Sequence, residues 1–240
     1  MNALSGKVAV ITGAGRGIGR ATALKMAQEG ADLVLVSRTT SELETLAAEI
    51  KSSGGRVLAL PADVTDPHQV SQVVQQAVAA MGHLDILVNA AGVGVIRPFL
   101  ELSLADFDRM MAVNVRGVFL VMQAVAAQMV QQKRGLVVNL PGILGKTAMM
   151  NASDYCASKF AVTGMTRAAA LDLKRHGVRF SLLHLGGVDS PFWDNIDGLR
   201  VQRDKMLTVE DAARAVLYAV TQPDMGVLTE LTLQPESHQM

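Results

Sequence analysis

The chain has 240 residues, half of them hydrophobic and 18% charged, with no Pro-rich linker, low-complexity tract or internal repeat, so a single domain with a sizeable core is expected. Lys+Arg and Asp+Glu balance at 22 each, which argues against a nucleic-acid or anionic-membrane partner. No apolar run reaches membrane-spanning length, the first ten residues lack a signal-peptide pattern, and the single cysteine, Cys156, excludes an internal disulfide or multi-cysteine zinc site, so a cytoplasmic address is the expectation.

The first strand is Lys7 to Thr12, a short apolar run of buried-strand size. Thr12-Gly-Ala-Gly-Arg-Gly-Ile-Gly19 follows at once, and helical spacing of Ala21, Leu24 and Ala27 runs to a stop at Gly30. Strand, glycine-rich turn and helix in that order make a dinucleotide-binding unit. Gly13 lets the chain turn sharply. Gly17 and Gly19, flanking Ile18, let backbone approach a pyrophosphate at the helix N-terminus.

The second strand, Asp32 to Ser37, ends without the carboxylate that would hold the hydroxyls of an NAD ribose. Arg38 comes next, and Arg16 lies in the glycine loop. Two guanidinium groups suit a 2′-phosphate through forked, charge-assisted hydrogen bonds, so the expected cofactor is NADP(H); the alternative is that both are solvated. A helix over 41–52 leads to a third strand, Arg56 to Leu60. Asp63, beside Val64, could accept from an adenine amino group or cap the helix that starts near Pro67, where Asp66-Pro67 is itself a start signal. His68 and His83 carry no assigned role.

The fourth strand, His83 to Asn89, runs into Asn89-Ala90-Ala91-Gly92. Ser103 to Gln132 has helical periodicity with Ser103 as N-cap. Asn114 within it is a polar amide that must find partners if buried. Gly135 to Leu140 is the fifth strand. A helix over Asn151 to His176 carries Tyr155-Cys-Ala-Ser-Lys159, which sets a phenol and an amine one turn apart on one face. A cation there would favour the phenolate and draw the Tyr155 pKa toward neutrality, where it can exchange a proton with a carbonyl oxygen; a surface Tyr beside a solvated Lys is the plainer alternative. Cys156 reads as a packed residue. Val178 to His184 is the sixth strand. Residues 189–206 are weakly patterned, with Phe192, Trp193, Ile196 and Leu199 among polar residues. Thr208 caps a last helix, Gly226 to Leu233 is the seventh strand, and the tail from Gln234 reads as mobile.

Taken together, these motifs resemble the short-chain dehydrogenase/reductase family over nearly the whole chain. The resemblance implies a doubly wound α/β (Rossmann) domain with a mostly parallel seven-stranded sheet. Asn89-Ala90-Ala91-Gly92 looks like the family turn that steadies the sheet beside the cofactor, and Ser37-Arg38 is similar to its NADP-preferring, tropinone-reductase-like members. The resemblance implies that Asn114 holds a water in a relay to Lys159, that Lys159 also binds the nicotinamide ribose, and that Gly186, Val188 and Ser190 meet the carboxamide end. It also implies a substrate-covering role for residues 189–206 and a homo-oligomer, dimer or tetramer, through the Ser103–Gln132 and Asn151–His176 helices. The substrate would be a small ketone or secondary alcohol, such as a 3-oxoacyl or cyclic ketone. After the sixth strand Leu185-Gly186-Gly187-Val188 replaces the family's Pro-Gly-x-Val, and Ser190 stands where the family usually has Thr; losing the Pro loosens the turn but leaves the backbone contacts possible. The chain departs more seriously before the Tyr. The family serine that hydrogen-bonds the substrate carbonyl, thirteen residues before the Tyr, is Gly142 here, after Pro141. Loss of such a donor typically costs about 10²–10³ in rate. Either Tyr155 polarises the carbonyl alone, or a water or a hydroxyl such as Ser153 or Thr147 fills the place, or the chain binds nucleotide without turnover.

Overall fold

The computed structural model describes residues 2–196, 201–223 and 225–238. Seven strands form one sheet in the order β3-β2-β1-β4-β5-β6-β7. They are β1 (Val8–Thr12), β2 (Asp32–Ser37), β3 (Val57–Pro61), β4 (Ile86–Asn89), β5 (Gly135–Asn139), β6 (Val178–Leu185) and β7 (Glu230–Leu233). Every pairing is parallel, β7 included, so the sheet goes beyond "mostly" parallel. Parallel strands need both faces covered, which is why β1, β4 and β5 are buried along their whole length. Helices α1 (Gly17–Gln28), α2 (Thr40–Ser52) and α7 (Val209–Val220) pack Met26, Leu43, Leu46 and Val216 on one face. Helices α3 (Pro67–Met81), α5 (Val118–Gln132) and α6 (Ser153–Leu173) cover the other, with Val70, Val73, Val121 and Val125 in its core.

Strand order reverses between β1 and β4, which opens a crevice at the carboxyl ends of the strands. The strand ends there are in register, with Thr12 opposite Asn89 and Asn89 opposite Asn139. Their side chains form a buried polar row: Asn89 Nδ2 donates to Asn139 Oδ1 (2.9 Å), and Asn139 Nδ2 donates to Thr166 Oγ1 on α6 (2.7 Å). Asn89 thus fastens the floor of the crevice to the helix that bears Tyr155.

Several expectations change. The continuous helix over 103–132 is broken into α4 (Leu104–Met111), a π-helical segment (Ala112–Gly117) and α5. The wider turn carries Asn114 inward, and hydrophobic spacing does not encode it. Together α4 to α5 are also long and apolar enough to cross a membrane, contrary to the reading of the sequence. Packing accounts for that character, since Val118, Val121, Met122, Val125, Ala126 and Met129 are buried. The start of the tail is packed against the domain: Pro235 is buried, and a Cβ on Gly186 would come within 2.7 Å of its Cδ. Asp66, not Asp63, caps α3, accepting from His68 N at 2.8 Å. His83, to which the sequence assigns no role, pairs with buried Asp85 at 3.0 Å.

Candidate active site

At Gly13 the chain leaves β1 with φ 66°, and a Cβ there would lie 2.7 Å from Ala91 N. Only glycine meets both demands without cost. One cleft follows. Gly13, Arg16, Gly17, Ile18 and Gly19 line it from the first turn, Ser37 and Arg38 from the end of β2, and Asp63 and Val64 after β3. Ala90 and Gly92 face it after β4, and Gly186, Val188 and Ser190 after β6. Tyr155 and Lys159 reach it from α6. Asn89 and Asn114 lie behind the wall, 4% and 1% exposed.

Asn114 is fully engaged. Its Oδ1 accepts from Val93 N (2.9 Å), and its Nδ2 donates to Val93 O (2.9 Å) and Ser158 Oγ (3.1 Å). It therefore ties the loop after Gly92 to α6, next to Lys159. Lys159 Nζ sits 5.3 Å from the Tyr155 ring centroid and donates to Leu140 O at 3.4 Å. Burial acts on the pair against the expected electrostatic effect. Burial pushes the Tyr155 phenol above its ordinary 10.0 and lowers the Lys159 amine from 10.5 to about 8. Desolvation opposes either charged form, and the ammonium lies over the ring instead of bonding the phenol oxygen.

This has a stability consequence. The folded-state pKa of Lys159 lies below the unfolded one, so the unfolded chain binds more protons between about pH 8 and 10.5, and stability rises with pH across that window. A Lys159→Met protein is expected to be more stable than wild type near pH 7, by on the order of 1–2 kcal/mol after solvent screening. Its advantage should shrink from pH 8 upward. Thermal unfolding of both proteins at several pH values checks this.

Comparison with known proteins fits the arrangement of glycine turn, crevice and Tyr–Lys pair. The family model described as short chain dehydrogenase matches residues 7–198. The chain belongs to the short-chain dehydrogenase/reductase family. It is 34% identical to a sepiapterin reductase of Chlorobaculum tepidum, over 96% of each chain. A metagenomic short-chain oxidoreductase solved in complex with NADP superposes with TM-score 0.85 at 33% identity, covering 97% of this chain and 99% of that one. An alcohol dehydrogenase from Thermococcus sibiricus complexed with 5-hydroxy-NADP superposes with TM-score 0.88 at 29% identity, covering 98% of each. The chain is thus an oxidoreductase by family.

As a short-chain dehydrogenase/reductase it is unusual at the end of β5. Gly142 faces the cleft with φ 68° and ψ −179°, a combination essentially confined to glycine. A serine would be strained there as well as new. Thr147 also lines the cleft but bonds Ile143 O at 3.3 Å, and Ser153 lies outside the wall. In the covering segment, residues 197–200, including Leu199, lie outside the described residues. Phe192 stands 5.7 Å from Tyr155, centroid to centroid, and over Gly94, where any Cβ would overlap its ring. Trp193 Nε1 donates to Val188 O at 2.8 Å, so that carbonyl is already engaged. Ile196 packs on the cluster of Ile96, Ala152 and buried Cys156. Asp63 Oδ1 accepts from Thr65 N (2.9 Å) and Thr65 Oγ1 (2.8 Å), an Asx-type turn that leaves its other oxygen for the cleft. Sequence reasoning missed Glu42. From the first turn of α2 it lines the nucleotide end, folded over Gly15 so closely that a Cβ on that glycine would overlap it.

Proposed function

We propose that the protein is an NADP(H)-dependent carbonyl reductase/alcohol dehydrogenase acting on a small ketone/secondary-alcohol pair. The observation that carries this is Tyr155 and Lys159 on one turn of α6, walled into the same cleft as the glycine turn. Arg16 and Arg38 are exposed at the ribose end and form no ion pair among the described residues. Ser37 Oγ beside them is buried without a hydrogen-bond partner. Two unpaired cations and an unspent hydroxyl suit a 2′-phosphate. Gly13, Gly17, Ile18 and Gly19 would hold the pyrophosphate, Asp63 and Val64 the adenine, and Gly186, Val188 and Ser190 the nicotinamide end, with the Asn89–Gly92 turn steadying the sheet beside the cofactor.

The cofactor, when bound, supplies or accepts the hydride. Tyr155 exchanges the proton at the substrate oxygen. The phenol gives the proton in reduction and takes it back in oxidation. Asn114 supports the pair from behind by fixing Ser158 and the Val93 loop. Phe107, Phe119, Phe160 and Leu171 are exposed on α4, α5 and α6, which supports a homo-oligomer through those helices, and a monomer in sedimentation would remove that part of the reading.

Steady-state NADPH oxidation over a panel of cyclic ketones, diketones and 3-oxoacyl thioesters tests the whole. Turnover on at least one class is expected. A second reading, a nucleotide-binding protein without catalysis, is favoured by the absence of a side-chain donor at Gly142. Tight NADPH binding with no turnover on any carbonyl would establish it instead.

A further inference from the structure

The loop opposite Tyr155, residues 141–147, lacks a side-chain donor where the family has one, yet, besides the backbone bond from Gly142 N to Leu183 O (3.4 Å), it is fastened by three side chains. Thr163 Oγ1 on α6 donates to Gly145 O (3.2 Å). Lys146 Nζ pairs with Glu230 on β7 (2.9 Å). The third fastening is His184, inside β6 and with no exposed surface, whose Nδ1 lies 3.0 Å from Gly142 O. A carbonyl only accepts, so Nδ1 carries the proton and the lone pair is left on Nε2. Nε2 is buried, has no hydrogen-bond partner, and faces Glu230 Oε2 at 3.9 Å.

Three charged groups surround the ring. Lys146 comes from the loop, Arg167 from α6 and Glu230 from β7, and Glu230 is shared between the two cations, with Arg167 Nη2 at 2.6 Å. Burial foremost, with Lys146 and Arg167 adding to it, holds the imidazole below its ordinary value. A buried imidazole with an orphan nitrogen costs more than an aliphatic side chain of similar size. What it provides in return is one hydrogen bond, made to the residue that stands where the serine is missing.

We propose that His184 is a positioning residue for the reaction: as a neutral Nδ1–H donor it locks the Gly142 peptide, and so sets the backbone wall that confines a substrate carbonyl against Tyr155. The inference rests on the carbonyl-reductase reading above. It differs from a packing role in requiring a donor at one particular ring position.

The test uses three substitutions. His184→Asn keeps an amide donor near the place of Nδ1, His184→Gln moves it to the place of Nε2, and His184→Leu removes it. Misplacement of a reacting group by about 1 Å can cost ~10²-fold, so the Gln and Leu proteins are expected to lose ~10–10²-fold in kcat/KM, mainly in kcat, with NADPH affinity kept. The Asn protein is expected to stay within an order of magnitude of wild type. Two readouts do not need turnover. Nitrogen-15 NMR of wild type should show His184 protonated at Nδ1 alone, and amide exchange over 142–147 should accelerate in the Gln and Leu proteins but not in Asn. Equal behaviour of Asn and Gln in both kinetics and exchange, or an Nε2–H tautomer, would overturn the proposal. Should the Leu protein fail to fold, the Asn–Gln comparison still decides it. If wild type reduces no carbonyl, the functional reading falls, while tautomer and exchange still judge the loop-locking role.

Discussion

Replacing Tyr155 with Phe is expected to lower kcat/KM for carbonyl reduction by about 10²–10⁴-fold, the usual contribution of a positioned general acid. The change removes one oxygen and keeps the ring, so the contact with Phe192 survives and NADPH binding should be nearly unaffected. Steady-state kinetics with a nucleotide fluorescence titration separates the two effects. The loss should be at the upper end of the range, because Gly142 offers no side-chain donor to polarise the carbonyl once the phenol is gone. Near-wild-type kcat/KM in the Tyr155→Phe protein would remove the acid–base role.

The second large effect concerns cofactor choice. Arg38→Ala is expected to weaken NADPH about 10–100-fold while leaving NADH unchanged, since a hydrogen bond to a charged group contributes about 1.5–3 kcal/mol. Glu42 should act in the opposite sense. Its carboxylate lies on the same side of the cleft as Ser37 and Arg38, where it repels a 2′-phosphate. Glu42→Gln should therefore tighten NADPH and leave NADH in place. Equilibrium titration of both nucleotides against the three proteins checks this. Equal losses of NADPH and NADH in Arg38→Ala would mean that the guanidinium binds something common to both.

Much of the fold was legible because parallel strands, buried on both faces, leave short unbroken apolar runs. Asp32–Ser37 came out as read, and β1, β5 and β6 within a residue at each end. The glycine turn was legible too, since Gly13 and Gly17 do what few other residues can. The π-helical segment was not. Apolar spacing over 103–132 is compatible with a continuous helix, and only the packing of Asn114 onto the Val93 backbone shows why one turn widens. The site was legible as residue types and less so as energetics. A Tyr and a Lys four apart suggested an acidified phenol, whereas burial, invisible in a sequence, pushes the phenol the other way. The loss of a donor at Gly142 could be read, whereas its positive φ and its bond to His184, 42 positions away, could not. Glu42 and Gly15 likewise come together only when α2 folds back over the first turn.

The central claim is that a carbonyl at Tyr155 takes its hydrogen from a nicotinamide held in the same cleft. It is tested most directly with NADPH deuterated at the transferring position of C4 and a ketone that supports turnover, or, failing one, the full carbonyl panel at high enzyme concentration. Deuterium at the carbinol carbon of the product, formed about 10²–10⁴-fold more slowly by Tyr155→Phe, is the predicted result. Bound NADPH with no label in any alcohol product would contradict the account.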